Sequence, residues 1–292
     1  ARFLRTRALT VALVGASMLL LAFRGTGRGT LGFSLEAPDI GQGDALLLRV
    51  PGGEATLVDT GPSPWAARRL VRVLSRRGVR EPLHVVLTHP HSDHAGGWAT
   101  LARLWPVADL TLPDTARPLK IWAPVVPGRV EEARRVLRGE DWWRGGAHFQ
   151  VRWPPGPFEL PDANMISQVL RVSWRDRELW LMGDAMAIQE RDLLDLGDPG
   201  PLRAHRLLKA GHHGSASASD QAWIEALAPE LVIFTVGRKN PFEFPSSRTL
   251  ETLGRTPHFS TGPSRGLRVV AVPGGWRVET GAGATQIVPL RP

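Results

Sequence analysis

The chain has no cysteine, only three lysines (Lys120, Lys209 and Lys239), and no apolar run of the ~20 residues that a spanning helix needs. Without cysteine there is no disulfide framework, no thiolate metal site and no cysteine nucleophile, so a transition-metal site has to be built from His, Asp or Glu. Basic residues (36) outnumber acidic ones (28) for a formal charge of +8, and the shortage of lysine makes that excess almost entirely arginine. This balance suits an anionic partner, nucleic acid or a lipid headgroup. An arginine-preferring genome would produce the same balance, because the charge is spread along the chain rather than gathered in one tract. Composition bounds the fold more firmly: 292 residues with 42% apolar content can fill a substantial core.

Residues 8–23 carry no charge and are flanked by Arg2, Arg5 and Arg7 on one side and by Arg24 and Arg28 on the other. No small-x-small cleavage pattern follows Phe23, so the run reads as a membrane anchor, or the last helix of a larger membrane domain, rather than a secretory leader. Three glycines within 25–30 read as a linker. The expected division is therefore residues 1–30 as apolar helix plus linker and residues 31–292 as the domain proper.

Short apolar runs at 45–50 and 55–59, separated by Pro51-Gly52-Gly53, predict a hairpin of buried strands. Apolar residues at 66, 67, 70, 71 and 74 predict a one-sided helix over 65–77, ended by Gly78. A strand over 83–88 leads into the histidine cluster. Further on, the pattern predicts a helix at 97–104 and a strand at 107–112. A Pro- and Trp-rich stretch follows to about 161, with one short helix at 130–137. Strands at 166–174 and 178–182, a helix at 218–227, a strand at 231–236, a helix at 246–253 and strands at 267–272 and 276–279 complete the reading. Strands early and late with helices between them indicate layered sheet and helix in one α/β domain.

The segment Thr88-His89-Pro90-His91-Ser92-Asp93-His94 has the form H-x-H-x-D-H. His89 and His91, two apart in extended backbone, point to the same side, and Pro90 keeps His89 out of helical geometry. Asp93 and His94 are adjacent and, in a turning loop, address a second point nearby. Imidazole and carboxylate donors suit zinc, manganese or iron, and two ions ~3.5 to 4 Å apart can clamp both oxygens of a displacement. Five of the nine histidines fall in this segment and in His212-His213.

This cluster resembles the signature of the metallo-β-lactamase superfamily, which implies an αββα sandwich with the metals at one sheet edge, here preceded by the N-terminal apolar helix. On that resemblance Leu57-Val58-Asp59-Thr60-Gly61 places Asp59 behind the ligand loop, and Leu181-Met182-Gly183-Asp184 supplies the bridging Asp184. His89 and His91 would hold one ion, and Asp93, His94 and His213 the other. Asp39-Ile40-Gly41-Gln42-Gly43-Asp44-Ala45, Asn164 with Ser167, the segment 207–215, and Val236-Gly237 with Asn240-Pro241 are similar to the C-terminal hydrolase domain of the ComEC family of DNA-uptake channel proteins, over roughly residues 31–272. The match implies substrate or supporting roles for Asp39, Gln42, Asp44, Asn164 and Ser215. His212 would face the substrate or protonate the leaving oxygen, although His212 and His213 can exchange roles on sequence alone. Ser215, Ser217 and Ser219 read more simply as the lead into the next helix. Asn164 replaces the histidine common at the third ligand position, and Glu243-Phe244-Pro245 replaces the family's Gly-His-Pro.

The resemblance implies a metal-dependent phosphodiesterase, a nuclease acting on DNA during uptake, with two divalent ions (zinc or manganese) and with His212, Asp184 and Asp59 as its catalytic group. Its implied partners are DNA, the membrane and a larger channel. The implied location is the cell membrane, with the hydrolase domain on the extracytoplasmic side. The alternatives are hydrolysis of another small ester or lactam on the same fold, or a non-catalytic DNA-guiding domain.

Overall fold

Strands buried at every residue need cover on both faces, and several strands here are of that kind. Leu46 and Leu48 point into one buried cluster while Leu47 between them points into another; Leu207 and Leu208 divide in the same way. A computed structural model describes residues 32–116, 118–157 and 162–291. The apolar run 8–23 and the linker 25–30 lie outside the described residues. No helix among the described residues is long and apolar enough to cross a membrane.

The first sheet has nine strands in the order β16 (Thr285–Pro289), β15 (Gly275–Thr280), β14 (Leu267–Val272), β1 (Ser34–Ala37), β2 (Leu46–Arg49), β3 (Thr56–Val58), β4 (Leu83–Val86), β5 (Val107–Pro113) and β6 (Arg134–Val136). The second has seven, in the order β13 (His258–Ser260), β12 (Leu231–Phe234), β11 (His205–Lys209), β10 (Arg177–Leu181), β9 (Val169–Trp174), β8 (Ala147–Trp153) and β7 (Asp141–Arg144). Inner faces of both sheets meet in one core, with Leu48, Val58 and Val86 from the first and Phe149, Leu181 and Ile233 from the second.

Helices cover the outer faces. On the first sheet lie α1 (Pro64–Arg76), through Ala66, Ala67, Leu70 and Leu74, and α3 (Trp98–Leu104), through Trp98 and Leu101. On the second lie α5 (Ala187–Asp195), α6 (Gln221–Leu227) and α7 (Ser247–Leu253), through Leu193, Trp223 and Leu253. The short helices α2 (Ser92–Ala95), α4 (Pro118–Trp122) and α8 (Thr261–Ser264) sit in connecting loops. The result is a helix–sheet–sheet–helix sandwich. α1 starts where its sequence directs: Ser63 Oγ accepts from the Ala66 N–H at 3.3 Å, and Pro64 occupies the first turn.

The helix expected over 130–137 is not formed. Val130, Ala133 and Val136 are all buried at helix-like spacing, but Val130 and Ala133 belong to turns and Val136 to β6, which adds to the edge of the first sheet. The stretch that followed, expected to be irregular, holds the hairpin β7–β8.

Candidate metal centre

β3 runs parallel to β4, and β10 parallel to β11, so each pair delivers its following loops to a common edge. Asp59 follows β3 directly, and the histidine segment follows β4. Gly183 and Asp184 follow β10, and the 210–214 turn follows β11. Asp44 precedes β2, which is antiparallel to β3 and therefore starts at the same edge.

At this edge the donors converge. His94 Nε2 lies 3.1 Å from Asp184 Oδ1 and 3.8 Å from Asp93 Oδ2, and His213 Nε2 lies 3.4 Å from Asp184 Oδ1 and 3.3 Å from Asp93 Oδ2. These four residues offer donor atoms all within 4.8 Å of one another, as do His89, His91 and Asp93. The other carboxylate oxygen of Asp184 faces the second group, with Oδ2 3.8 Å from His89 Nε2. His212 is on the solvent side: its Nε2 is 3.9 Å from Asp184 Oδ2, its Nδ1 lies 3.2 Å from Ser217 Oγ, and its side chain is 28% exposed against 2% for His213. Both take positive φ (42° and 55°), backbone strain of the kind that concentrates at functional sites.

A supporting layer orients these rings. Asp59 Oδ2 is 2.7 Å from His94 Nδ1, and the same carboxylate accepts from Thr88 N–H (2.8 Å) and Thr88 Oγ1 (2.7 Å). Asp44 is tied to the histidine loop through its own N–H, which donates to Asp93 O at 3.1 Å. Its side chain takes the Thr235 hydroxyl, which in turn is 3.0 Å from His213 Nδ1, and ion-pairs with Lys209 Nζ at 2.6 Å. Lys209 is wholly buried and also donates to Gly183 O at 2.8 Å, fastening the turn that presents Asp184.

Electrostatics make the cluster a sink for positive charge. Burial alone would depress His94, but the carboxylates of Asp184, Asp59 and Asp44 outweigh it and hold the imidazole well above its ordinary value. Asp184 lies well below the ordinary carboxylate value, because His94, His213 and His89 outweigh its burial. His89, buried beside His94, is pushed well down. A proton on His94 or a cation between the donors satisfies this demand. The cation fits better, because His89 Nε2, His94 Nε2 and Asp184 Oδ1 are buried and make no hydrogen bond, and unpaired buried polar atoms are costly unless a ligand takes them up. An all-His/Asp donor set of this kind suits zinc or manganese.

Other residues singled out in the sequence fall around this centre. Asn164, in the turn Ala163–Ile166, is buried with its side-chain oxygen unpartnered, and its backbone oxygen accepts from Gln189 Nε2. Gln42 Oε1 accepts from Gly237 N–H at 3.3 Å. Asp39 lies away from the donors and pairs with Arg238 (3.2 Å) and Arg69 (4.0 Å). Ser215 Oγ bonds Ser217 Oγ at 3.0 Å. Phe244 packs on His212 with ring centroids 6.0 Å apart and stacks on the exposed Phe242. Sequence reasoning attached no role to Lys209, Thr235 or Gln189. Lys209 stood in a recognised stretch as the lone lysine of its neighbourhood, and that was its only signal.

The geometry agrees with what sequence and structure comparisons show. The chain is 31% identical to "Recombination protein 2" of Haemophilus influenzae over 76% of its own length and 26% of that protein's. It is 26% identical to "ComE operon protein 3" of Bacillus subtilis (74% of this chain, 30% of the relative) and 29% identical to "Competence protein ComA" of Neisseria gonorrhoeae (71% and 28%). The chain thus spans 26–30% of the length of these curated relatives. Two solved structures share the fold at low identity. One is the metallo-beta-lactamase fold protein YhfI of Bacillus subtilis (TM-score 0.51, 11% identity, 78% of this chain and 96% of that one); the other is a variant of the CmlA beta-hydroxylase (TM-score 0.54, 14% identity, 82% and 54%). The profile of the metallo-beta-lactamase superfamily matches residues 38–235, from the glycine-rich loop through Thr235 beside His213, and the chain belongs to that superfamily, with competence proteins among its homologues.

Proposed function

We propose that this chain is a divalent-metal-dependent phosphodiesterase that cuts DNA as the hydrolytic part of an uptake channel, held at the extracytoplasmic side of the membrane through residues 8–23. The observation that carries the reading is the convergence of His and Asp donors at one sheet edge, with His89, His94 and Asp184 each offering a buried, unpartnered atom. The competence relatives support DNA as the substrate class, and a formal charge of +8 suits a polyanion.

His89 and His91 would hold one ion and Asp93, His94 and His213 the other, with Asp184 offering one oxygen to each side. Divalent ions in such a site supply polarisation of the phosphoryl group and acidify a water molecule toward neutral pH. The chain's own residues do the rest. Asp59 fixes the tautomer of His94 by taking its Nδ1–H, and Thr235 positions His213 from the same side of the ring. His212, reachable from solvent and held at Nδ1 by Ser217, is placed to move a proton at the leaving oxygen. Phe242 and Phe244 present stacked rings beside His212, faces on which a nucleobase can lie.

Incubation of the purified chain with manganese or zinc should nick plasmid and degrade single strands. EDTA should stop the reaction, and Asp184→Ala should slow it by ~10²-fold or more. If every DNA form stays intact while small esters or lactams are hydrolysed, the DNA reading is wrong and the fold serves another hydrolysis.

A further inference from the structure

A cleft of about 650 Å³ lies between α1 and the start of β14, outside the metal centre. Six arginines line it (Arg69, Arg72, Arg76, Arg77, Arg265 and Arg268) against three carboxylates (Glu36, Asp39 and Glu279), a formal +3. The carboxylates are already engaged. Glu36 takes Arg77 at 2.6 Å, Glu279 takes Arg268 at 2.9 Å, and Asp39 takes Arg238 and Arg69. Among the described residues this leaves the exposed guanidiniums of Arg72, Arg76 and Arg265 with no acidic partner.

The spacing on α1 adds a second observation. Positions 65, 69, 72 and 76 fall on one helical face, and the first is Trp65, half exposed, with the Arg69 guanidinium 5.5 Å from its ring centroid. An exposed aromatic followed by a stripe of arginines is the pairing that tracks single strands, stacking a base and neutralising successive phosphates. The stripe from Arg69 to Arg76 runs ~10 Å along the helix.

The cleft is connected to the metal centre through the chain itself. Asp39, at its head, opens the glycine-rich loop whose other end, Asp44, is bonded to Asp93 and Lys209. Arg238, which reaches Asp39, follows Gly237, and Gly237 is bonded to Gln42 of that loop. The glycine-rich loop thus joins the head of the cleft to the loops that carry the donors.

We infer that this arginine cleft, together with Trp65 beside Arg69 on the same face of α1, is a second binding site for the sugar-phosphate backbone of single-stranded nucleic acid, holding the strand beyond the phosphodiester at the metal centre. The inference rests on the DNA reading of that centre, so its test leaves catalysis out. Binding of a fluorescein-labelled oligothymidylate to the 292-residue chain is followed by anisotropy in EDTA, which stops cleavage. R72A/R76A should weaken binding by about tenfold and make the dependence of log K on log salt shallower by about 1.4, two contacts at ~0.7 each. W65A should weaken it by at least about fivefold. R103A/R135A, which removes the same charge outside the cleft, should change it less than about twofold. Melting curves confirm that each variant is folded. Equal losses in the two arginine pairs, no loss in either, or no binding by the unaltered chain overturns the inference. So does a variant that loses binding to phosphatidylglycerol vesicles while keeping oligothymidylate, which assigns the cleft to a lipid surface. Hydrolysis with metal present is scored separately and decides the function of the centre alone.

Discussion

The carboxylate of Asp59 takes three donors at once: the backbone N–H and hydroxyl of Thr88, and His94 Nδ1. Asp59→Asn replaces one acceptor oxygen with an amide that can only donate. The expected result is a 10- to 100-fold loss of metal affinity in a chelator competition, with the fold retained. Affinity equal to that of the unaltered chain would mean that Asp59 does not hold the ring. Glu190 presents a different case. It is almost wholly buried, and burial raises its carboxyl to about 7, although the N–H groups of Ser219 and Asp220 both donate to it and favour the charged form. A folded-state value above the unfolded 4.5 means that the contribution to stability is full below pH ~4.5 and is lost as pH rises through about 7. Urea unfolding should show stability falling over that window by an amount on the order of 3 kcal/mol, and Glu190→Gln should flatten the dependence. At this scale the sequence spoke where spacing alone specifies direction, as in H-x-H-x-D-H. It was silent on Lys209, Thr235 and Gln189, whose partners around the site lie 20 or more residues away and come together only when the chain folds.

Among the elements, the loop from Asp39 to Asp44 and the histidine loop are locked together at Gly43. A Cβ there would lie 2.1 Å from Asp93 O, and φ is +129°, a region that side chains rarely enter. Gly43→Ala should cost about 2 kcal/mol or more, read by urea unfolding, and should weaken metal binding because Asp93 moves with its carbonyl. A variant of unchanged stability would show that the two loops are not coupled there. Strands with continuous apolar runs and the one-sided α1 were legible because burial on both faces, or on one, leaves its period in the sequence. The 130–137 stretch misled because Val130, Ala133 and Val136 mimic a helical face while belonging to turns and an edge strand. The helix α5 left no readable period: it exposes Ile188 and buries Gln189 and Glu190, which serve as hydrogen-bond partners for the Asn164 turn and for the start of α6.

For the whole molecule, two sheets that share a core bring four loops and a glycine-rich turn to one edge, and the candidate metal donors lie where they meet. Overall charge did not locate a partner surface, because arginine is spread through the sequence; the fold gathers some of it into the cleft along α1. We propose that the convergent donors form a metal centre that hydrolyses DNA. The most direct test of this proposal is a titration of the metal-free chain with manganese, in which bound metal and cleavage of a labelled single strand are followed together. Cleavage should be absent at the start, rise with occupancy and level off near two ions per chain. Two ions bound with the strand uncut, or equal cleavage before any metal is added, would contradict it.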